Sequence, residues 1–336
     1  MMRRVAGWGG ALLLAGFALV AVALLGPART APQRAAFVID TGPTGGTYFP
    51  VGEAIAAIVS HPPGVVRCDT PGVCGPAGLI ASARTSAGTI ANIEDVNAHF
   101  ADAALAQSDA VAEAVAGKGV FHDRQTHIRA MASLFPEEVH VVVRADAHIH
   151  SIAALRGRKV SVGTEDSGTI VTAREVLAAY RLSERSLKAA HLPADQAASD
   201  LAAGRLDGFF FTGGAPVPLV RDLMAQGKAT LLPIAGAERK RLLKANPSLA
   251  ADAIAAGTYP GTGATDTVAV RAVLIVNDQV PNDVVAGVTR ALFNPANRDM
   301  LNASHPRAAL IRRDAATDHL PAPLHPGAAH YYGEAK

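Results

Sequence analysis

The chain has 336 residues, of which 49% are hydrophobic, so it is long enough to bury a substantial core. Its formal net charge is only +2, and no basic run is longer than the pairs Arg3-Arg4 and Arg312-Arg313. This pattern argues against a nucleic-acid partner. Aromatic residues are only 5% of the chain, whereas Ala, Gly and Val are abundant. Such a composition is typical of parallel strands covered by small-residue helices, so we expect a globular α/β protein.

The N-terminus has the pattern of a secretion signal. Arg3 and Arg4 are followed by an uncharged, largely apolar stretch from Val5 to Gly26, and Pro27 ends it. The stretch is long enough to span a bilayer, so an uncleaved anchor is the alternative. We assign residues 1–31 to a signal peptide or N-terminal anchor, with cleavage after Ala28 preferred. The protein is therefore expected to be exported from the cytoplasm.

The chain has two cysteines, Cys68 and Cys74, in a segment rich in Pro and Gly. In an oxidising compartment they are expected to form a local disulfide, and free thiols are the alternative. Two cysteines alone make a poor zinc site.

The first half of the chain predicts alternating strands and helices. Strand character is found at 36–40, 65–69, 79–84, 103–107, 128–134 and 139–144. Helical spacing is found at 47–60, at 89–100 and after Ser108 and Asp109, whose side chains are expected to cap that third helix.

The second half repeats the strand, turn and helix pattern. Strands are predicted at 159–162, 208–212 and 267–276, and helices at 170–180, 193–203, 217–226 and 281–293. This alternation favours a parallel sheet.

The long apolar strands at 139–144 and 267–276 suggest an α/β protein with two α/β lobes joined by two crossing strands. Lobe 1 would comprise residues 36–143 and 271–334, and lobe 2 residues 144–270. The hinges are expected near Val143 and Val270, with a ligand cleft between the lobes.

Turns rich in Gly, Ser and Thr follow several strands and open helices. The first turn of such a helix offers unpaired backbone N–H groups and a partial positive charge, which favour an oxyanion. We expect this at Thr47, Ser108, Ser167 and Pro216, with ordinary helix caps as the alternative. An arginine guanidinium can also bind a ligand carboxylate through two parallel hydrogen bonds, and the candidates for such a clamp are Arg84, Arg144 and Arg174. For each arginine, a surface or hinge ion pair is the alternative.

Sequence patterns of common enzymes are incomplete. The turn from Gly163 to Gly168 begins like a phosphate loop, but Thr169 and Ile170 follow where Lys and Ser or Thr are required. Ser167 lacks the upstream glycine of a hydrolase elbow. The histidines do not have the spacing of a familiar metal pair, including His148 with His150 and His325 with His330. We expect no catalytic residues, no metal and no cofactor.

Several segments together resemble one family of solute receptors. They are 45–52 (GGTYFPVG), 107–109 (QSD), 140–144 (HVVVR), 160–163 (VSVG), 167–169 (SGT) and 324–328 (LHPGA) followed by Tyr331 and Tyr332. In this order they are similar to the TAXI family, the extracytoplasmic receptors of tripartite ATP-independent periplasmic (TRAP) transporters.

The resemblance implies a periplasmic-binding-protein-like fold, with two α/β lobes and a ligand cleft between them, and a receptor in the periplasm that delivers a small anionic solute to TRAP membrane permease subunits. We expect the receptor to be a monomer. The solute would be a dicarboxylate, a 2-oxoacid or an acidic amino acid such as glutamate. Carried over to this chain, the ligand contacts would be Gly46, Thr47, Tyr48, Asn92, Gln107, Ser108, Ser167, Gly168, Thr169 and Gly214. The segment from Cys68 to Gly88 departs from the family pattern. A partner of a membrane sensor and a hydrolase on the same fold are the alternatives.

Overall fold

A computed structural model describes residues 35–334, in which one mixed sheet of ten strands is surrounded by helices. The strands are β1 (Ala35–Asp40), β2 (Leu79–Arg84), β3 (Ala103–Gln107), β4 (Ile128–Arg144), β5 (Lys159–Ser161), β6 (Lys188–Ala190), β7 (Gly208–Gly213), β8 (Ala229–Leu232), β9 (Ala250–Ile254) and β10 (Thr265–Asn277). The helices are α1 (Tyr48–Val59), α2 (Thr89–Asn97), α3 (Ser108–Ala116), α4 (Gly168–Ala179), α5 (Ala194–Ala202), α6 (Pro218–Ala225), α7 (Gly236–Ala245), α8 (Asn282–Leu292), α9 (Arg298–Ser304) and α10 (Pro326–Gly333).

The sheet contains two parallel sets of strands joined by two long antiparallel ones. The strand order is β2-β1-β3-β10-β4-β7-β5-β6, with β8 paired to β4 and β9 paired to β10. Strands β1, β2 and β3 are parallel, as are β5, β6 and β7. Strands β4 and β10 are antiparallel to each other and to the neighbouring set. This arrangement confirms the α/β class with two lobes and two crossing strands.

Strand β4 is a single strand of 17 residues, although the sequence predicts two separate runs around Pro136. Pro136 lies opposite Arg271, next to an irregularity in the register with β10. A proline has no N–H for a ladder hydrogen bond, so such an irregularity accommodates it. Because β4 pairs with β10 in its first part and with β7 and β8 in its last, it contributes to both lobes. The lobe boundaries and hinges stay predictions.

The helices pack small and branched side chains against the sheet. Val51, Ile55 and Ile58 of α1 are fully buried. Every residue of β3 and β7 is buried, as expected for strands covered on both faces. The burial explains their continuous apolar sequences.

The predicted strand at 65–69 is wrong, because residues Val66–Asp69 form a 3-10 turn. Cys68 and Cys74 form a disulfide, which confirms the predicted pairing and closes a short loop there. In the sheet, the strand that pairs with β1 on its outer side is β2, which follows this loop in the chain.

The predicted caps of α3 are also wrong. Gln107 precedes this helix without a side-chain cap, and Asp109 Oδ1 accepts a hydrogen bond from the amide of Ala110 inside the first turn.

The predicted signal segment lies outside the described residues. Within residues 35–334, the helices are all too short or too polar to cross a membrane.

Candidate functional site

A cavity of about 150 Å³ lies where loops from both parallel sets of strands meet. One side is formed by the loop after β1, the start of α1, residues 86–89 and the end of β3. The other side is formed by residues around 161–169, the start of α5 and the end of β7. Glu137 of the crossing strand β4 completes the wall. The cavity thus occupies the expected place of the ligand cleft.

Seven of the ten predicted contact residues line this cavity. They are Gly46, Thr47, Tyr48, Gln107, Ser167, Gly168 and Thr169. They come from three separate segments of the chain, so the fold brings together residues up to 123 positions apart, 169 minus 46. Their contact with a solute stays a prediction.

The other three predicted residues do not line the cavity. The side-chain amide of Asn92 donates to the carbonyls of Thr41 and Leu105, at 2.6 and 2.7 Å, and so fastens α2 to the sheet. Ser108 Oγ accepts the amide of Arg271 at 3.3 Å. Gly214 lies behind the wall, where its carbonyl accepts the hydroxyl of Thr47 at 3.0 Å. Each of these groups holds the framework of the cavity.

Several helices begin at the cavity, which places their first-turn amides near it. Tyr48, Thr89, Gly168 and Ala194 each start a helix and line the wall. The first amides of a helix have no partner inside that helix. The predicted anion site at Pro216 is wrong, because α6 begins at Pro218, away from the cavity, and the amide of Val217 donates to the hydroxyl of Tyr259.

Of the two roles considered for Arg84, Arg144 and Arg174, the structure shows ion pairs and not the carboxylate clamp. Arg84 pairs with Asp40 at 2.6 Å, Arg144 with Asp146 at 2.7 Å and Arg174 with Glu184 at 2.6 Å. None of the three arginines lines the cavity. The wall described between residues 42 and 213 has no Lys, Arg or His.

A buried acid on the wall was missed by the sequence reasoning. Glu137 is 1% exposed, and its Oε2 accepts the hydroxyl of Tyr48 at 2.6 Å. Burial, chiefly, raises the pKa of Glu137 well above its ordinary value. Burial and the nearby Glu137 carboxyl do the same to the pKa of Tyr48. The only sequence signal was a pair of acids, Glu137 and Glu138, inside an apolar run.

The two sides of the cavity are in direct contact. The carbonyl of Asp166 accepts the amides of both Ile90 and Ala91, each at 3.1 Å, so one side caps the first turn of α2 on the other. Gly88 has φ +124°, and a Cβ there would lie 3.5 Å from Ser167 Cα. A Cβ on Gly168 would overlap the side-chain oxygen of Gln107. The positive φ of Gly88 favours glycine there, whereas a larger residue at 168 would require the Gln107 side chain to move.

A second set of contacts lies beside the crossing strands. The guanidinium of Arg307 is paired with Glu138 and donates to the carbonyl of Ala215 at 2.9 Å.

Among the described residues, no group of three His, Cys, Asp or Glu side chains is placed to hold a metal ion.

The family described as NMT1-like matches residues 39–335, so the chain belongs to the NMT1-like family. The chain is similar in fold to MatC from Rhodopseudomonas palustris, solved with bound malate, at 17% identity and a TM-score of 0.53, covering 90% of this chain and 98% of that one. It is also similar to a protein from Bordetella bronchiseptica RB50, at 18% identity and a TM-score of 0.50, covering 90% and 82% of the two chains.

A third structure, described as a periplasmic transporter, has 13% identity and a TM-score of 0.54, covering 90% of this chain and 95% of that one. These likenesses show the fold, which is that of the two-lobed periplasmic binding proteins. The narrower TAXI resemblance of the sequence stays a prediction.

Proposed function

We propose that this chain is an extracytoplasmic receptor that captures a small solute between its two lobes. The observation that carries the proposal is the cavity itself, whose wall is built by helix starts from both sides and by the crossing strand β4. Ligands of open α/β sheets bind at such strand ends and helix starts. The secretion signal expected in residues 1–31 supports a location outside the cytoplasm.

Capture would proceed by closure of the lobes. Lobe 1 would comprise residues 36–143 and 271–334, lobe 2 residues 144–270, and the hinges would lie near Val143 and Val270. The hydrogen bonds from Ile90 and Ala91 to the Asp166 carbonyl join the two sides. A solute that contacts both sides would shift the population toward this closed form.

The solute is proposed to be a small anion: a dicarboxylate, a 2-oxoacid or an acidic amino acid such as glutamate. The first-turn amides of α4, which begins at Gly168, would bind its oxyanion. A volume of about 150 Å³ suits a small molecule on the scale of benzene. MatC, which shares the fold, was solved with malate.

The closed receptor would deliver this solute to TRAP membrane permease subunits, as the resemblance to the TAXI family implies. It would do so without chemistry of its own. Ser167, the nucleophile of the hydrolase alternative, donates its hydroxyl to the carbonyl of Thr164 at 2.8 Å. A serine held in this way serves the turn before α4.

The test is a thermal-shift screen of the protein from Ala31 onward with malate, 2-oxoglutarate, glutamate and related compounds. A ligand that binds only the folded state stabilises it by RT ln(1 + [L]/Kd) and so raises its melting temperature. We expect a clear shift with at least one of these anions and recovery of the compound unchanged. Consumption of the compound would indicate an enzyme, and no shift with any anion would refute the proposed solute class.

A further inference from the structure

Glu137 faces the cavity from the crossing strand β4 with no cation beside it on the wall. Glu137 is 1% exposed, and its Oε2 accepts a hydrogen bond from the hydroxyl of Tyr48. Tyr48 belongs to α1 and also lines the cavity. A charged carboxylate buried in this way would need a cationic partner to offset its desolvation.

The charged groups around Glu137 do not supply that partner. Asp109 of α3 is a second buried acid, and its Oδ2 lacks a hydrogen-bond partner among the described residues. Glu138, the next residue on β4, is paired with Arg307. On the adjacent strand β10, Arg271 directs its guanidinium to Ser133 Oγ and the carbonyl of Leu134.

We propose that Glu137 is a specificity residue of the solute site, where it remains a neutral carboxylic acid and donates a hydrogen bond to the oxyanion of the solute. This inference rests on the proposed function and deepens it. The acid uses one oxygen to accept the Tyr48 hydroxyl, and the other carries the proton toward the cavity. A neutral donor attracts an oxyanion, whereas an ionised carboxylate repels it.

The pH dependence follows from the same arrangement. Burial, with the neighbouring acids Asp109 and Glu138, raises the pKa of Glu137 well above its ordinary value. The bound anion would raise that pKa further, so protein that has lost this proton must take it up to bind. The affinity is therefore full below the pKa of free Glu137 and falls by about tenfold per pH unit above it.

The protonation state is measured first, without any solute, by infrared difference spectroscopy at pH 7. We expect the wild-type protein to have a protonated-carboxyl band that is lost in Glu137→Gln. Asp109→Asn is the matched control, because it removes a neighbouring buried acid and should leave the Glu137 band in place. If Glu137→Gln removes no such band, the proposal is overturned.

Binding of malate, 2-oxoglutarate and glutamate is then titrated by calorimetry from pH 6 to pH 9.5. Glu137→Gln keeps a donor, so we expect affinity about 2- to 10-fold weaker than that of the wild type at pH 6, with no fall at the pH where the wild-type band fades. Glu137→Leu has no donor and should lose at least a further tenfold. Glu113→Gln, outside the cavity on α3, should follow the wild type.

Two results would overturn the inference while leaving the receptor in place. Equal losses in Glu137→Gln and Glu137→Leu, with wild-type affinity rising with pH, would show an ionised Glu137 that binds a cationic group. Equal affinity in all three proteins would show that Glu137 does not contact the solute. Failure of all three anions to bind the wild type would instead refute the proposed function, and the inference with it.

Discussion

The hydroxyl of Thr47 gives the sharpest test of closure, because it crosses between the two sides of the cavity. It donates to the carbonyl of Gly214 at 3.0 Å, and both groups are buried. Thr47→Val keeps the shape of the side chain but removes the donor, so the Gly214 carbonyl would stay buried without this partner. A lost buried hydrogen bond of this kind costs about 1–2 kcal/mol.

If the bond exists only in the closed form, the whole cost appears in solute binding. We then expect the Kd for the anion identified by thermal shift to rise by about 5- to 30-fold in Thr47→Val. Thr47→Ser, which keeps the hydroxyl, is the control and should stay within about threefold of the wild type. Calorimetry measures both variants. Unchanged affinity in Thr47→Val would refute the idea that this bond stabilises the closed form.

Three further predictions concern the contact glycine, the disulfide and a buried acid. Gly168→Ala places a methyl group against the Gln107 side chain, so we expect solute binding at least tenfold weaker by calorimetry. Wild-type affinity in this variant would show that the lobes need not close this far. The double variant Cys68→Ser with Cys74→Ser should lose about 2 kcal/mol of stability in urea unfolding, for a loop of this length, and keep its solute affinity. Burial, and next the charge of Glu175, raises the pKa of Asp109 to about 7. The free energy of unfolding of the wild type therefore falls as the pH rises toward 7. In urea unfolding, this fall between pH 5 and pH 8 should be smaller in Asp109→Asn by roughly 2 kcal/mol. Parallel pH profiles of the two proteins would contradict this prediction.

The alternation of strands and helices was predictable because local pattern decides it. Buried strands such as Ala103–Gln107 and Gly208–Gly213 have continuous apolar sequences, and glycine turns precede helices such as Gly168–Ala179. The strand predicted at 65–69 failed because β-branched residues in a short run do not reveal a loop closed by Cys68 and Cys74. Short edge strands, such as Ala229–Leu232, have too few residues for a period to be seen.

The candidate site was predictable where it consists of turns and not where it depends on packing between distant segments. Thr47, Ser167 and Thr169 lie in turns that the sequence shows directly. The role of Glu137 depends on its burial beside Tyr48, which is 89 residues away in the chain. The sequence left both a clamp and an ion pair open for the arginines, because the acid partners of residues such as Arg84 are brought near only by the fold.

The most direct measurement of the central claim is a crystal structure of the protein grown with the anion that the thermal-shift screen identifies. We expect density for the unchanged anion in the cavity between Thr47 and Thr169, with its oxyanion at the start of α4 and the Asp166 carbonyl still bound by α2. Density for the anion outside this cavity, or for a reaction product inside it, would contradict the account.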